Sequence, residues 1–546
     1  MSDILTCLKQ GVPHTYRFPW QSFTDLLRTR ASERGQQDAI IFRDVDSDHR
    51  EVVTYADLDA RTAQMAVSLH HDYDIQPGDC VSLALPNCIE IPLITLALFR
   101  LGATSVPLDL KRDPPDRKRF KVMDSASRLV CTQTDLVEEE RYILPEHRII
   151  STEELQGNGN PASADLEPEW SGVPDREIHT NVVLYTSGTT GTPKGTRLTR
   201  QSLTSNADGI NKWLGFDDSD RLSLVLPLHH VNSTVFSLTM LMVGGTLILN
   251  SRYSLNRFWQ ILEEEKVTAT SIVPTIMHDL NGTTHGPTNG ALPHLKKIMI
   301  GSAPVPAGAA CRFVERFGVP LIQGYGTTEV SLRVTGVPTD LPTETYRHLL
   351  KKNSIGRELA NCNVHIDGDP AEGELGEILV RGPVIADGYL NQEEATLGSF
   401  TNDWFRTGDI GCWREIDGER YYFIHGRAKE IIIKGGVNIS PIAVENAIVE
   451  STPEIAAAYV VGLPSERWGE EIWAAVVIAD EVSDDIKDQL VSEISLRGSA
   501  GEIPGLSSFE APSRVTPVDP NALPKTSTGK VQRSRLREVL LGSQTA

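Results

Sequence analysis

The stretch Val182-Val183-Leu184-Tyr185-Thr186-Ser187-Gly188-Thr189-Thr190-Gly191-Thr192-Pro193-Lys194-Gly195 decides how the chain is to be read. An apolar, strand-like run ends in a loop of Gly, Ser and Thr closed by Pro-Lys-Gly. Glycine lets backbone approach a ligand closely, and successive N–H groups and hydroxyls form a concavity suited to a polyanion. Phosphate is the natural guest. The spacing is not that of a P-loop, because Lys194 precedes Gly195 rather than Ser or Thr. Alone, such a loop reads as a flexible connector; the strand before it and the Pro-Lys-Gly after it favour phosphate.

At 546 residues the chain suggests two to four packed units, and 40% apolar content indicates a sizeable core. A formal charge of −21 argues against a broad nucleic-acid footprint. The seven cysteines show no C-x-x-C spacing, which favours reduced thiols and a cytoplasmic setting over disulfides or zinc. Met1-Ser2-Asp3 lacks the basic start of a signal peptide, and Gln544-Thr545-Ala546 is no recognised address. The most apolar long stretch, 91–106, contains Arg100, Pro92 and Gly102; it reads as a buried helix entering a strand, with no membrane span expected.

Strand and helix patterns alternate over most of the chain, predicting an α/β fold with parallel-rich sheets built from βαβ units. Helices are expected at 23–34, 258–266 and 307–317. Strands are expected at 80–84, 105–108, 222–226, 246–249, 270–273, 297–300 and 319–322. Segment 157–175 reads as a surface linker, and 281–291 and 339–353 as loops. From 364 to 380 shorter β patterns predict a small β-rich subdomain. After Gly426 a small α+β unit begins, with a strand at 430–434 ending in Gly435-Gly436 and a helix at 441–450. The domain boundary is placed there: 1–426 and 427–546.

Further motifs join the opening loop. Gln323-Gly324-Tyr325-Gly326-Thr327-Thr328-Glu329 offers a flat ring, hydroxyls and one carboxylate suited to Mg²⁺, a cation that takes hard oxygen ligands shared with substrate phosphates. Trp404-Phe405-Arg406-Thr407-Gly408-Asp409 sets a carboxylate after a Gly turn, suited to a ribose diol. Gly426-Arg427-Ala428-Lys429-Glu430 sits at the boundary, and Leu523-Pro524-Lys525-Thr526-Ser527-Thr528-Gly529-Lys530 presents a lysine near the C-terminus.

These five elements, in this order, resemble the superfamily of acyl-CoA synthetases, peptide-synthetase adenylation domains and firefly luciferase, from about Phe23 to Arg537. The resemblance implies a large N-terminal domain and a small mobile C-terminal one. It implies that Thr186, Ser187, Gly188, Thr189, Thr190 and Lys194 hold the β- and γ-phosphates of ATP. Tyr325 would stack on adenine beside Gly301 and Ser302. Thr328 would touch the α-phosphate and Glu329 would bind Mg²⁺. Asp409, assisted by Arg427, would bond the ribose. Lys530 would stabilise charge as a carboxylate attacks the α-phosphorus, an attack needing no base because the acid is already ionised. Lys429 occupies the hinge position, and Gly435-Gly436 would line a pantetheine tunnel after domain rotation.

His229-His230 lacks a second ligand pair with metal spacing, so His230 reads as a wall of the acyl pocket. The resemblance places Val231, Thr275, Gly301, Ser302, Gly324 and Val330 around it too. Segment 229–236 holds no Asp or Glu to pair a substrate ammonium, which disfavours amino acids and favours a neutral-tailed aliphatic or aryl acid. Arg533, Arg535 and Arg537 are candidates for CoA phosphates or for a solvated helix face. The expected activity is an acid–CoA ligase using ATP, Mg²⁺ and CoA. The alternative is an adenylating enzyme loading a carrier-protein phosphopantetheine or another nucleophile, since Glu510 and Val437 depart from the pattern on the thioester side. A luciferase-like oxidase has no support beyond the shared motifs. A non-catalytic binding protein is disfavoured by Lys194, Glu329, Asp409 and Lys530 together.

Overall fold

A computed structural model describes residues 16–157, 179–186, 193–283, 286–287, 292–303, 305–479, 482–525 and 531–542. The expected linker at 157–175 lies, apart from Gly157, outside these residues.

Two large sheets form the N-terminal part. The first has six strands, in the order Arg148–Ser151, Leu129–Thr132, Cys80–Ala84, Thr104–Pro107, Thr180–Thr186 and Lys194–Thr199. All pairs are parallel except the last, an antiparallel hairpin that puts Thr186 opposite Lys194 and so forms the base of the loop quoted above. The second sheet has fourteen strands. Its parallel centre runs Leu321–Tyr325, Lys297–Ile300, Ala269–Ile272, Arg221–Leu224, Thr246–Asn250 and Asp38–Arg43. These central strands are apolar almost throughout because helices cover both faces. Met299 and Ile322 pack toward the helices Arg200–Leu214 and Val231–Val243, whereas Ile298 and Ile300 join Phe313 and Phe317 on the other side.

Beyond Leu321–Tyr325 the same sheet turns antiparallel through Thr335–Gly336, Ser354–Glu358, Glu419–Arg427, Trp404–Ile416, Gly376–Arg381 and Asn363–Ile366. The expected β-rich subdomain is thus hydrogen-bonded edge to edge with the parallel sheet. This brings Asp409, on Trp404–Ile416, to the end of Leu321–Tyr325.

The C-terminal part is α+β, with a five-stranded sheet and its own cluster of buried Ile, Val and Ala between that sheet and the helices Pro441–Ser451 and Asp484–Ala500.

One expectation fails. Segment 339–353 contains the helix Thr343–Lys351 rather than a loop. Its polar, Pro-led start resembles a turn, but Tyr346, Leu349 and Leu350 recur at helical spacing and pack inward, and Tyr346 bonds the backbone of Leu321.

Candidate active site

Asp409 lies opposite Arg427 in the ladder between Trp404–Ile416 and Glu419–Arg427. Gly408 takes φ 74°, the left-handed turn that delivers Asp409 to the sheet end. The carboxylate is 3% exposed, and two of its partners define the site. The Tyr325 hydroxyl donates to Oδ2 at 2.7 Å, and Arg427 Nε lies 3.2 Å from Oδ1. Burial, and then the Asp409 charge, raise the Tyr325 phenol well above its ordinary range, so it stays protonated and donates. Burial alone would depress the Arg427 guanidinium, but Asp409, Glu430 and Glu329 together hold it above its usual value. Tyr325, Asp409 and Arg427 therefore form one fixed unit.

Glu329 follows on a short 3₁₀ turn, Thr328–Val330. Tyr389, whose importance the sequence did not reveal, donates its hydroxyl to Glu329 Oε1 at 3.1 Å, and Lys194 Nζ stands 4.8 Å from the Tyr389 ring centre. The backbone N–H of Leu390 bonds Gly195 O, and that of Ala386 bonds Glu329 O. Segment 386–390 thus ties the base of the Gly/Thr loop to the carboxylate. Of the loop itself, Thr186 and Lys194 stand at the hairpin mouth; Ser187, Gly188, Thr189 and Thr190 lie outside the described residues. The signal for Tyr389 was slight, a single tyrosine after Gly388 at the end of an apolar run.

His230 caps the N-terminal end of Val231–Val243. Burial, with the neighbouring His229 next, pushes its imidazole down to about 3, so it is neutral at pH 7. His229 Nε2 lies 3.3 Å from Asp109 Oδ2. Among the described residues no cluster of three His, Cys, Asp or Glu is arranged to hold a metal. Gly301 and Gly324 end adjacent parallel strands on the face toward Val231–Val243, and Ser302 follows at φ 68°. The residue that fills the space over the two glycines, Arg333, went unnoticed in the sequence. Across the same helix, Ser233, Thr234, Ser237, Leu238 and Leu241 line an apolar cavity.

In the C-terminal part, Lys429 is exposed in the turn after Arg427. Gly435 and Gly436, at φ 55° and 82°, turn the hairpin Ile432–Lys434 / Val437–Ile439, whose Ile433 and Val437 face solvent. Lys530 lies outside the described residues. Lys525 bridges to Val531, and its charge reaches His278 and Asp279 of the helix Pro274–Gly282. Arg533 is already engaged within the C-terminal part: it is held in ion pairs with Glu445 and Glu430 and donates to Val460 O.

Comparison with known proteins bears directly on this arrangement. A family described as AMP-binding enzyme matches residues 27–390, and its C-terminal domain matches 443–530. The chain belongs to the AMP-binding enzyme family. Curated relatives of this AMP-binding enzyme include a long-chain-fatty-acid–CoA ligase, FadD13, of Mycobacterium tuberculosis, 32% identical over 89% of this chain and 93% of that one. An oxalate–CoA ligase of Arabidopsis thaliana is 31% identical over 88% and 92%. The solved o-succinylbenzoate CoA synthetase of Bacillus subtilis, in complex with ATP and magnesium, aligns at TM-score 0.77 with 28% identity, covering 94% of this chain and 99% of that one. The fold of an adenylate-forming α/β enzyme is thereby shown.

Proposed function

We propose that the protein joins a carboxylic acid to CoA in two steps at the Asp409 centre. First, a carboxylate oxygen of the acid bonds the α-phosphorus of ATP and the bond to the β-phosphate breaks, giving acyl-AMP and pyrophosphate. Then the CoA sulfur bonds the acyl carbon and AMP leaves with the electron pair. The relatives, acid–CoA ligases, support both steps.

The observation that carries the reading is the juxtaposition of two units: Tyr325–Asp409–Arg427, and Glu329–Tyr389–Lys194. The first offers buried acceptors and a cation for a ribose; the second offers a cation and a carboxylate at the mouth of the Gly/Thr loop for the phosphates. Thr327 Oγ1 beside them is buried without a partner, a group poised for a ligand. Glu329 fits Mg²⁺ by donor chemistry: Tyr389 is its hydrogen-bond partner on one oxygen, which leaves the other for a cation. Bound there, Mg²⁺ would neutralise phosphate charge as it develops. Lys194 and Arg427 add fixed positive charge, and neutral His230 walls the acyl side without competing for the phosphates. Residues 1–426 would form the adenylating unit and 427–546 the lid, hinged near Lys429. Lys530 would supply charge in the first step and Gly435-Gly436 the thiol path in the second. A cytoplasmic setting suits the substrates, and no described helix is long and apolar enough to cross a membrane.

Acid-dependent ATP–pyrophosphate exchange across a panel of acids, then thioester analysis with CoA or a carrier protein, tests this. Lys530→Ala should lose exchange while still forming thioester from supplied acyl-AMP. Exchange without any CoA thioester would favour a carrier-loading enzyme instead.

A further inference from the structure

Arg333 is among the largest fully buried side chains, and nothing described so far uses it. It sits on the segment that doubles back after Glu329, through Ser331 at φ 60° and Leu332 at φ 124°, to pair Thr335–Gly336 with the end of Leu321–Tyr325. Its backbone is clamped by Asn206, which accepts from Arg333 N–H and donates to Arg333 O. The side chain then crosses Gly324 and ends beside Gly301. A Cβ on Gly301 would lie under 3.0 Å from both Nη atoms, and one on Gly324 would lie under 3.0 Å from Trp213. Gly301 thus makes room for this guanidinium, and Gly324 for the Trp213 ring beside it.

The guanidinium has five N–H donors. Nη1 donates to Gly324 O at 2.6 Å, Nε is buried without a partner, and among the described residues no carboxylate pairs with it. Burial alone lowers the group to about 10, so it remains charged at pH 7. A buried charge is ordinarily paired, because desolvation costs several kcal/mol per ion. Here the backbone carbonyl compensates only in part. Two strands away on the same helix-covered face, Asn232 donates to Ser271 Oγ while its Oδ1 is buried without a partner. The carboxyl ends of parallel strands are where open α/β sheets bind ligands, and Tyr325 is the residue next to Gly324.

We infer that Arg333 is the specificity residue of the acyl site and that it receives a second carboxylate at the far end of the acid, making the substrate a dicarboxylic acid. The inference rests on the ligase reading above and revises the expectation of a neutral tail. A guanidinium matches a carboxylate with two parallel hydrogen bonds, and the substrate supplies the counter-charge the protein omits. The reacting carboxylate faces the α-phosphate; the distal one meets Arg333.

The test pairs acids of equal length, such as butyrate with succinate and hexanoate with adipate, in ATP–pyrophosphate exchange. Wild type should favour one diacid over its monoacid partner by roughly a hundredfold or more in kcat/KM, the range for breaking a buried charge pair. In Arg333→Met that ratio should invert, and Arg333→Lys should restore part of it. Thermal shift of the wild type needs no variant to fold: the diacid should raise Tm and the monoacid should not. Equal loss with every acid in Arg333→Met, or a wild-type preference for long monoacids that assigns the acyl group to the apolar cavity, would overturn the inference and leave the ligase reading standing. Absence of exchange with any acid would overturn the ligase reading itself.

Discussion

Replacing Asp409 by Asn separates what this carboxylate does for the fold from what it does for a nucleotide. In the free protein it accepts from Tyr325 at 2.7 Å and pairs with Arg427 at 3.2 Å. Asn keeps an oxygen for the tyrosine, so that bond falls from charge-assisted to neutral, a loss of about 1 kcal/mol. The Arg427 side chain is 42% exposed, so solvent screens its pair and the loss there is about 0–1 kcal/mol. Together they amount to about 1–2 kcal/mol, or a few degrees in Tm. A ribose diol presents two hydroxyl donors, and an amide has one acceptor oxygen where the carboxylate has two. Losing one hydrogen bond to a charged group, about 1.5–3 kcal/mol, should weaken Mg-ATP binding about tenfold to 150-fold. Calorimetric titration of wild type and Asp409→Asn with ATP and with 2′,3′-dideoxy-ATP completes a double cycle. The wild type should lose affinity for the dideoxy nucleotide, and the variant should lose little more. A variant that binds ATP within threefold of wild type while its Tm falls by about 10 °C would refute the ribose assignment and make Asp409 a structural residue.

Other perturbations probe different links. His230 has its folded-state pKa depressed to about 3, against about 6.5 when unfolded. Between those values the unfolded chain binds the extra proton, so stability falls as pH drops below about 6.5, at up to about 1.4 kcal/mol per unit. Denaturant titrations at pH 7 and 5 should show His230→Gln losing less over that interval than wild type; equal losses would refute the neutral imidazole. Arg533→Met strands buried Glu445 and should cost about 3–5 kcal/mol in the C-terminal unit, and adding Glu445→Leu should recover most of it in thermal unfolding. If Arg533→Met melts like wild type and fails only in CoA binding, the arginine belongs to the substrate after all. Gly435→Ala meets a φ of 55° and the rings of Trp468 and Phe509. It should cost about 1 kcal/mol and slow thioester formation more than exchange; a greater loss of exchange would contradict the second-step role.

Where function depends on backbone or on contiguous residues, the sequence showed it. The alternation of strand and helix, the Gly/Thr hairpin loop, Gly408 ahead of Asp409 and the Gly435-Gly436 turn all leave local signals, because φ and periodicity are written into neighbouring residue types. The helices Phe23–Arg34 and Ala307–Phe317 coincide with the expected segments. What stayed hidden is pairing across distance. Tyr389 matters because a hairpin and a loop bring it between Lys194 and Glu329, 60 residues from the latter. Arg533 reads as one of three surface arginines until the strand Ile455–Ser465 and the helix Pro441–Ser451 close around it. Arg333 is the sharpest case. In the sequence it is one cation after Glu329, and nothing local says that Gly301, over thirty residues earlier, lacks a side chain to admit it. Glycine serves two purposes in this site: at Gly408 it supplies a backbone angle, at Gly301 it supplies room. The first is legible in the turn around it. The second is defined only by the side chain that occupies the room, which is why the test of substrate recognition is a choice between acids rather than a loss of activity.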